Sequence, residues 1–463
     1  MSSALANASN SFVHRKRRGS ELLLLALALA IGISAYAIIG LARDNEIPAD
    51  LIWYGGGLTV LAVVAHLMVR FRAPYADPVL LPVVVALNGL GLAMIHRIDL
   101  SLEAADSQFG PFAPSQLMWS ALGVTLFVLV LLLLQDHRVL QAYTYTLGLA
   151  GLGLLLLPLI PGVGVEINGS RVWANIAGLS IQPGEIAKVC LVVAFSGYLV
   201  VNRDALALAG RRVLGVDLPR GRDLGPILVA WAASMAVLVF QRDLGSSLLF
   251  FGIFVVLLYV ATERPGWLVL GTLLFSSGAY LGYLFFSHVR LRVEGWLDPF
   301  GDPDLFDQIV EAQFGLAWGG LLGRGLGEGS PTRVPYAWSD FIATSLGEEL
   351  GLAGLMAIVL LYGLIVERGL RVALLCRDSF GKLLSVGLAV SFALQVFVVV
   401  GGVTGLIPLT GLTTPFLSAG GSSMVANWAI IALLLRISHL ARRPDPEVWT
   451  PGADEDTQVV KLR

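Results

Sequence analysis

The sequence contains few charged residues for its length. Only 14% of its 463 residues are charged and 56% are hydrophobic, whereas a soluble domain has about 25% charged residues. The mean hydropathy is +0.77. The formal net charge of −2 gives no global basic field for a polyanion. This composition argues against a soluble globular protein, a disordered protein and a nucleic-acid binder.

Cysteine and histidine are also scarce. Two cysteines exclude a disulfide framework and a cysteine-ligated metal site on the usual counts. The six histidines are scattered and form no pair at the spacing of helical metal ligands.

What the sequence does contain is long apolar blocks, each near the roughly 20 residues that cross a membrane as a helix. We identify about twelve, at 22–42, 51–69, 78–95, 116–134, 140–160, 184–201, 225–240, 246–262, 266–287, 343–366, 382–403 and 421–441. The first is too long for a cleaved signal peptide and reads as an anchor. The sequence therefore predicts an all-α polytopic membrane protein.

Basic residues near the spans predict the orientation. The cluster His14-Arg15-Lys16-Arg17-Arg18 precedes the first span and places the N-terminus in the cytoplasm. With an even number of spans, residues 1–19 and 442–463 are both cytoplasmic tails. Three irregular segments then lie outside the cell, at 161–183, 288–342 and 404–420, and the second is much the longest. Within it, residues 309–321 are apolar enough for a re-entrant or interfacial helix.

Two short motifs place charges at the ends of predicted spans. Glu185 and Lys188 follow Pro183 and share one helix face, either as an ion pair at the helix start or as part of a polar cavity. Asp243, between two short spans, is a candidate partner for Lys188 and, taken alone, a helix cap.

The long outer segment brings arginines and carboxylates together. Arg290 and Arg292 precede Asp298 and Asp302, and each aspartate is followed by proline. The Asp-Pro steps suit turns. Arginines beside carboxylates at a membrane surface also suit a lipid pyrophosphate. The glycine-rich run 323–329 favours a flexible hinge over an anion-binding loop.

Two further features place polar groups at membrane depth. Glu348 and Glu349 are adjacent inside a predicted span, so at least one must face an interior, with Lys188 or Arg171 as candidate partners. The segment 405–423 is broken by glycine and proline, and such backbone survives only where it is buried or lines a cavity.

Six motifs in order resemble those of the SEDS family (RodA, FtsW and SpoVE). They are Gly169–Trp173, Gln182–Lys188, Gln241–Gly245, Trp296–Pro303, Val334–Gly351 and Gly405–Ser423. The resemblance covers residues 140–441 as a catalytic membrane domain and leaves 20–139 without a distinctive motif. Because the family usually has three spans before the first motif and five are predicted here, it implies two extra N-terminal helices. The pattern leans toward the RodA-like, cell-elongation side.

Some positions depart from the family pattern. Gly184 replaces the serine of Gln-Pro-Ser-Glu, and Val399 replaces an asparagine. Tyr336 and Trp338 stand where the family has glutamate and histidine, and Ala419 where it has tyrosine. These changes affect fine substrate contacts rather than the fold.

The resemblance implies a peptidoglycan glycosyltransferase that polymerises lipid II into β-1,4 glycan at the outer face of the plasma membrane, during cell-wall elongation and shape maintenance. Inversion requires a base, which by motif match is Asp302, with Asp298 as runner-up. Arg171, Lys188 and Arg290 or Arg292 would hold pyrophosphate, and Glu185 and Asp243 would orient Lys188. The remaining candidate substrate-binding residues are Asp340, Glu348, Glu349 and Ser418.

The resemblance also implies partners. A divalent cation, Mg²⁺ or Mn²⁺, would suit the pyrophosphate, and no organic cofactor is expected. The family works with a class B penicillin-binding protein, a transpeptidase.

Two other functions compete. A lipid II flippase would use the same cavity and charges. An ion-coupled transporter would place an ion site at the membrane midplane, whereas the carboxylates here cluster near the outer surface.

Overall fold

The computed structural model describes residues 16–444 apart from 168, 177, 208, 214, 215, 220, 222 and 223. The tails predicted at 1–19 and 442–463 therefore fall largely outside the described residues.

Helices make up most of the described chain. They are α1 (Arg18–Asp44), α2 (Leu51–Arg72), α3 (Leu80–Ala104), α4 (Ala113–Leu133), α5 (Val139–Ala142), α6 (Thr144–Leu156), α7 (Pro183–Leu206), α8 (Gly225–Ala236), α9 (Leu244–Thr262), α10 (Gly266–Phe285), α11 (Ser287–Leu297), α12 (Asp307–Gly319), α13 (Ile342–Leu375), α14 (Ser379–Val403) and α15 (Gly421–Arg442).

Within the described residues, ten of these helices are long and apolar enough to cross a membrane. The predicted spans at 140–160 and 225–240 correspond to shorter helices. The first is α6 followed by a 3₁₀ turn, Leu157–Leu159, and the second is α8 followed by a π-helical turn, Val237–Gln241. The multi-pass helical fold is thus confirmed, and the count of twelve spans stays a prediction.

The connecting segments have more structure than the sequence predicts. Residues 161–183 contain an antiparallel meander of β1 (Gly164–Ile167), β2 (Ser170–Ile176) and β3 (Leu179–Ile181). Its signal is the Asn-Gly dipeptide at 168–169, which favours hairpins. A second hairpin pairs β4 (Ala209–Val213) with β5 (Val216–Pro219). The long outer segment contains α11 and α12, so the helix predicted at 309–321 exists two residues earlier.

Of the two N-terminal helices, α1 packs on α3, whereas α2 packs mainly on α4 and α1. The closest approach is at Gly32 of α1, where an added Cβ would lie 2.9 Å from the Cα of Gly89. Small residues allow such approach, which is how helices associate in lipid without a hydrophobic driving force. The apolar stretch of α3 is 94% buried, compared with 17% for α10. Helix α3 is therefore central, and α10 is peripheral.

Helix α13 is interrupted at Gly351, which has φ 71° and ψ −176°. Residues 320–325, which lead into the glycine-rich run 323–329, pack into this break. Their backbone forms the hydrogen bonds that the helix lacks there. The backbone N–H of Leu352 donates to Gly320 O at 2.9 Å, and that of Gly325 to Glu349 O at 2.9 Å. Broken backbone at this depth is satisfied by other backbone, as a low-dielectric interior demands.

The α1–α3 crossing gives a direct test. Gly32→Ala should lower the free energy of unfolding by about 1–3 kcal/mol, because the methyl group would force two backbones apart. The control is Gly56→Ala, since Gly56 lies in α2 with nothing within 4 Å of an added Cβ. That control should be neutral or slightly stabilising. Thermal unfolding in detergent measures both, and equal stabilities would contradict the close crossing.

Candidate active site

Lys188 is a buried cation near the start of α7, with only 2% of its side chain exposed. Its Nζ donates to Glu185 Oε2 at 2.8 Å and to Gln395 Oε1 at 2.7 Å. The Gln395 amide in turn donates to Thr413 O at 2.9 Å. The predicted Glu185–Lys188 pair is present, and it connects α7 with α14 and the broken 404–420 segment.

Asp243 does not join this group by any contact that the described residues make. Its Oδ1 accepts the backbone N–H of Ser246 at 2.9 Å and caps α9. The sequence-based expectation that Asp243 pairs with Lys188 is therefore wrong, and the simpler cap is what the structure contains. Helix α7 begins at Pro183, so Glu185 and Lys188 both lie in its first two turns. Glu185 alone therefore neutralises the lysine, and no second carboxylate is needed.

Arg292 of α11 lies near two carboxylates instead. Its Nη1 donates to Leu409 O at 2.8 Å. A Cβ built on Gly411 would lie 3.5 Å from Asp340 Oδ2 and 3.7 Å from Arg292 Nη2, so both groups border Gly411 without forming a direct ion pair. Burial raises the pKa of Asp340 to about 6, aided by the charge of Asp243 and opposed by Ser339 and Arg292. Burial also raises the pKa of Asp243.

A cavity of about 410 Å³ opens beside Arg292, and we call it the arginine cavity. Arg242, Arg292, His288 and Gln308 line it with polar groups. Arg242 comes from the turn before α9, and Gln308 comes from the first turn of α12. Two guanidinium groups from separate elements thus border one cavity, which suits an anion with several oxygens.

The two candidate bases lie in the loop between α11 and α12 and are exposed. Asp302 Oδ1 accepts the backbone N–H of Leu305 at 3.2 Å, and Leu305 lines the arginine cavity. Asp298 directly follows the last residue of α11. Its side chain packs on Gly301, because a Cβ built on Gly301 would lie 2.5 Å from Asp298 Oδ2. Asp302 itself does not line the cavity, but its turn holds it next to Leu305, which does.

The other two predicted arginines are placed differently. Arg171 on β2 is 54% exposed and pairs with Glu166 at 2.8 Å, and Glu166 also lies 3.6 Å from Arg242. The hydrogen bond and charge of Arg171 lower the pKa of Glu166. Arg290 donates to Leu284 O at 3.0 Å and stacks over Tyr283. Neither Arg171 nor Arg290 lines the arginine cavity.

An apolar groove of about 450 Å³ adjoins the arginine cavity along α11. Val289, Val293 and Trp296, at helical spacing, face the groove, whereas His288, Leu291 and Arg292 face the cavity. The groove runs between α8, α9 and α10 and ends at Ile407–Thr410. One amphipathic helix therefore separates an apolar compartment from a cationic one.

The paired glutamates support the loop below this region. Glu349 forms an ion pair with Arg97 of α3 at 2.9 Å and accepts the backbone N–H of Gly327 at 2.9 Å. Glu348 accepts the N–H of Ser330 at 3.0 Å and lines a second polar pocket of about 270 Å³. The expected partners Lys188 and Arg171 were wrong. The glycine-rich run does present N–H groups to an anion, but the anion is the chain's own Glu349.

Ser418 fastens the broken 404–420 segment. Its Oγ donates to Ser339 O at 2.6 Å and accepts the N–H of Thr414 at 2.8 Å. It is buried and is better described as a support for Asp340, the next residue after Ser339, than as a ligand contact.

Sequence reasoning missed Gln395, Arg97 and Arg242 as site residues. Arg97 had a usable signal, because it is a lone arginine inside an apolar run. Arg242 stands in the motif Gln241–Gly245, where the neighbouring Asp243 has the stronger sequence signal as a helix cap. Gln395 gave no signal, because a neutral amide in a helix has many uses.

The described residues around Arg292 include no group of three metal-ligating side chains. Across the described ranges, the one group of three metal-ligating side chains within 4.8 Å of one another is His137, Cys376 and Asp378. This group lies at the C-terminal end of α13, whereas Glu349 lies near the N-terminal end of the same helix.

Comparison with known proteins places the chain among cell-wall enzymes. The FtsW/RodA/SpoVE family model, described as "Cell cycle protein", matches residues 78–443, so it begins just before α3 and leaves α1 and α2 outside. The peptidoglycan glycosyltransferase RodA of Mycobacterium tuberculosis is 51% identical over 450 residues, 96% of each chain. The probable peptidoglycan glycosyltransferase FtsW of Geobacter metallireducens is 32% identical over 78% of this chain and 94% of its own.

Solved structures agree. A chain from a peptidoglycan synthase complex, studied for its coordination of polymerization and crosslinking, has a TM-score of 0.61 at 29% identity, covering 80% of this chain and 99% of that one. The rod shape determining protein RodA of Thermus thermophilus has a TM-score of 0.54 at 27% identity, over 80% and 98%.

The Arg97–Glu349 pair predicts a large stability effect. Arg97→Met leaves a buried carboxylate unpaired, which should cost about 3–5 kcal/mol. The double variant Arg97→Met/Glu349→Gln should recover part of this loss, because it removes the stranded charge. Thermal unfolding in detergent measures both, with Arg70→Met as an exposed-arginine control. A double variant less stable than the single would contradict the pairing.

The raised pKa of Asp340 predicts a pH dependence of stability. The pKa rises from 3.8 to about 6 on folding, so the folded protein binds this proton more tightly than the unfolded chain. The free energy of unfolding should therefore fall as pH rises through that interval and level off above it. Unfolding curves of the wild type and Asp340→Asn over this range test the effect. Parallel pH profiles would contradict it.

Proposed function

The chain belongs to the FtsW/RodA/SpoVE family, and on that basis we propose that it is a peptidoglycan glycosyltransferase that polymerises lipid II. Lipid II carries a disaccharide-pentapeptide on undecaprenyl pyrophosphate. The names of the relatives and the geometry of the site both support this assignment.

The observation that carries the proposal is the division made by α11. An apolar groove suits a prenyl tail, and the arginine cavity on the other side of the helix suits a pyrophosphate. A ligand that joins a long hydrocarbon to a diphosphate needs these two environments side by side. The shared segment near Leu409 and Thr410 provides that junction.

The chemistry requires a base and a stabilised leaving group. The sugar–pyrophosphate bond of the donor is α and the glycan bond is β, so the reaction inverts the anomeric carbon. The acceptor 4-hydroxyl loses its proton to Asp302, its oxygen bonds to the anomeric carbon, and the bond to pyrophosphate breaks. An exposed carboxylate at the cavity rim is accessible to an incoming glycan end.

Arg242 and Arg292 are the residues proposed to hold the departing pyrophosphate. Both line the arginine cavity, and the hydrogen bond to Leu409 O holds Arg292 in place. The charge of Lys188 is already matched by Glu185, so its role is to fix the broken segment beneath the site. Arg171 lies on β2, and Glu166 of β1 contacts both Arg171 and Arg242, so the two arginines are neighbours.

A divalent cation at the pyrophosphate stays a prediction. Among the described residues no group of three metal-ligating side chains lies at the cavity, and no step of the reaction is assigned to a cation.

The cellular setting follows the same reasoning. Basic residues before α1 place the N-terminus in the cytoplasm, and the arginine cavity then faces outward. We propose a role in cell-wall elongation and cell shape, with a class B penicillin-binding protein as partner. The solved synthase complex supports such a pairing.

A lipid II polymerisation assay tests the proposed base. Asp302→Asn should reduce polymerisation by about 10²–10⁴-fold, the usual contribution of a general base, while lipid II binding and thermal stability are retained. Asp304→Asn is the matched control, because Asp304 is an exposed aspartate of the same loop. Purified protein with its transpeptidase is assayed in detergent.

Three outcomes would change the assignment. Loss only in Asp298→Asn would move the base to that residue. Full activity of Asp302→Asn would remove it from catalysis. Wild-type protein that makes no glycan but moves lipid II across liposomes would favour the flippase.

A further inference from the structure

Two turns on the side of the molecule away from the arginine cavity meet through three chemically distinct side chains. His137 lies in the turn between α4 and α5, and Cys376 and Asp378 lie in the turn between α13 and α14. His137 Nε2 is 3.0 Å from Asp378 Oδ2, and Cys376 Sγ is 3.2 Å from the same oxygen. The three ligand atoms all lie within 4.8 Å of one another, close enough for one metal ion to reach them.

The two oxygens of the Asp378 carboxylate make different contacts. Its Oδ1 accepts the backbone N–H of Gly381 at 2.7 Å and caps α14. Its Oδ2 is the atom that faces His137 and Cys376. The cap fixes the orientation of the carboxylate, and so holds one oxygen toward the other two ligand atoms, as a supporting hydrogen bond does in metal sites.

The three ligand atoms surround one small space beside Gly381. A Cβ built on this glycine would lie 2.5 Å from Cys376 Sγ, 2.5 Å from His137 Nε2 and 2.9 Å from Asp378 Oδ2. Any side chain at this position would enter that space. The absence of a side chain at position 381 therefore permits the ligands to converge.

The burial and the charge of these side chains also suit a bound cation. His137 and Cys376 are 1% and 4% exposed, and His137 Nδ1 lies 3.7 Å from Asp136 Oδ1, the side on which a carboxylate orients a metal-bound imidazole. When a metal binds, the thiol releases its proton, and the thiolate and the carboxylate then carry two negative charges that a divalent cation balances. The half-exposed Arg138 has its Nε 3.6 Å from Asp378 Oδ2 and is the cation that the metal would supplement. Thiolate, imidazole and carboxylate together form a ligand set that zinc accepts.

We propose that His137, Cys376 and Asp378 bind one zinc ion, with water completing a tetrahedral site. The ion would join two turns that are 241 residues apart in sequence. Cysteine count argued against a cysteine-ligated site, but that argument concerns sites built mainly from cysteines. One cysteine suffices when histidine and aspartate supply the other ligands.

Metal binding to the purified full-length protein tests the site. After incubation with Zn²⁺ and removal of free metal, the wild type should retain roughly one zinc ion per chain. Cys376→Ser and His137→Ala should each lose it. Cys190→Ser is the matched control, because Cys190 is the other cysteine and lies within α7. Co²⁺ in place of zinc should give a thiolate charge-transfer absorption in the wild type and Cys190→Ser, but not in Cys376→Ser.

Gly381→Ala provides a second test. The added methyl group fills the space between the three ligand atoms but leaves all three ligand side chains in the protein. It should abolish zinc retention, and thermal unfolding will show whether the protein remains folded. The proposal is overturned if the wild type retains no more zinc than Cys376→Ser, or if the Co²⁺ absorption persists in Cys376→Ser. The readout is metal content, so the result is independent of the proposed glycosyltransferase activity.

Discussion

Charged side chains and broken backbone buried among apolar helices must find partners inside the protein, and this requirement organises the structure. Lys188 is neutralised by Glu185, and Arg97 by Glu349. The interruption of α13 at Gly351 is completed by the glycine-rich segment, whose N–H groups also bind Glu349. Because unpaired groups are so costly in a low-dielectric interior, each of these contacts fixes a segment that would otherwise have many conformations.

The candidate active site rests on these supports. Gln395 links Lys188 to Thr413, and Ser418 links the same broken segment to Ser339. Between these anchors, Leu409 O accepts a hydrogen bond from Arg292 and positions it. The arginine that borders the cavity is therefore oriented by backbone that the buried charges hold still, while Asp302 sits on an exposed turn with access to the surface.

The sequence predicted the helical membrane fold well, because a block of about 20 apolar residues has few other structures available to it. It also predicted the Glu185–Lys188 pair, whose spacing fixes a shared helix face. It failed for Asp243 and for Glu349, because pairing between distant segments depends on the three-dimensional packing. The β-meander was missed because its strands are only three to seven residues long. Arg97 was overlooked because it stands outside the recognised motifs.

Helices α1 and α2 precede the region shared across the family, and α1 packs on α3 at Gly32 and Gly89. In a shorter family member that starts at the equivalent of α3, the face that bears Gly89 would belong to the lipid annulus. Here that face is sealed by protein. A membrane-embedded regulator that recognised α3 in such a shorter protein would find no docking site on this one, so any shared regulator must approach from another side of the bundle.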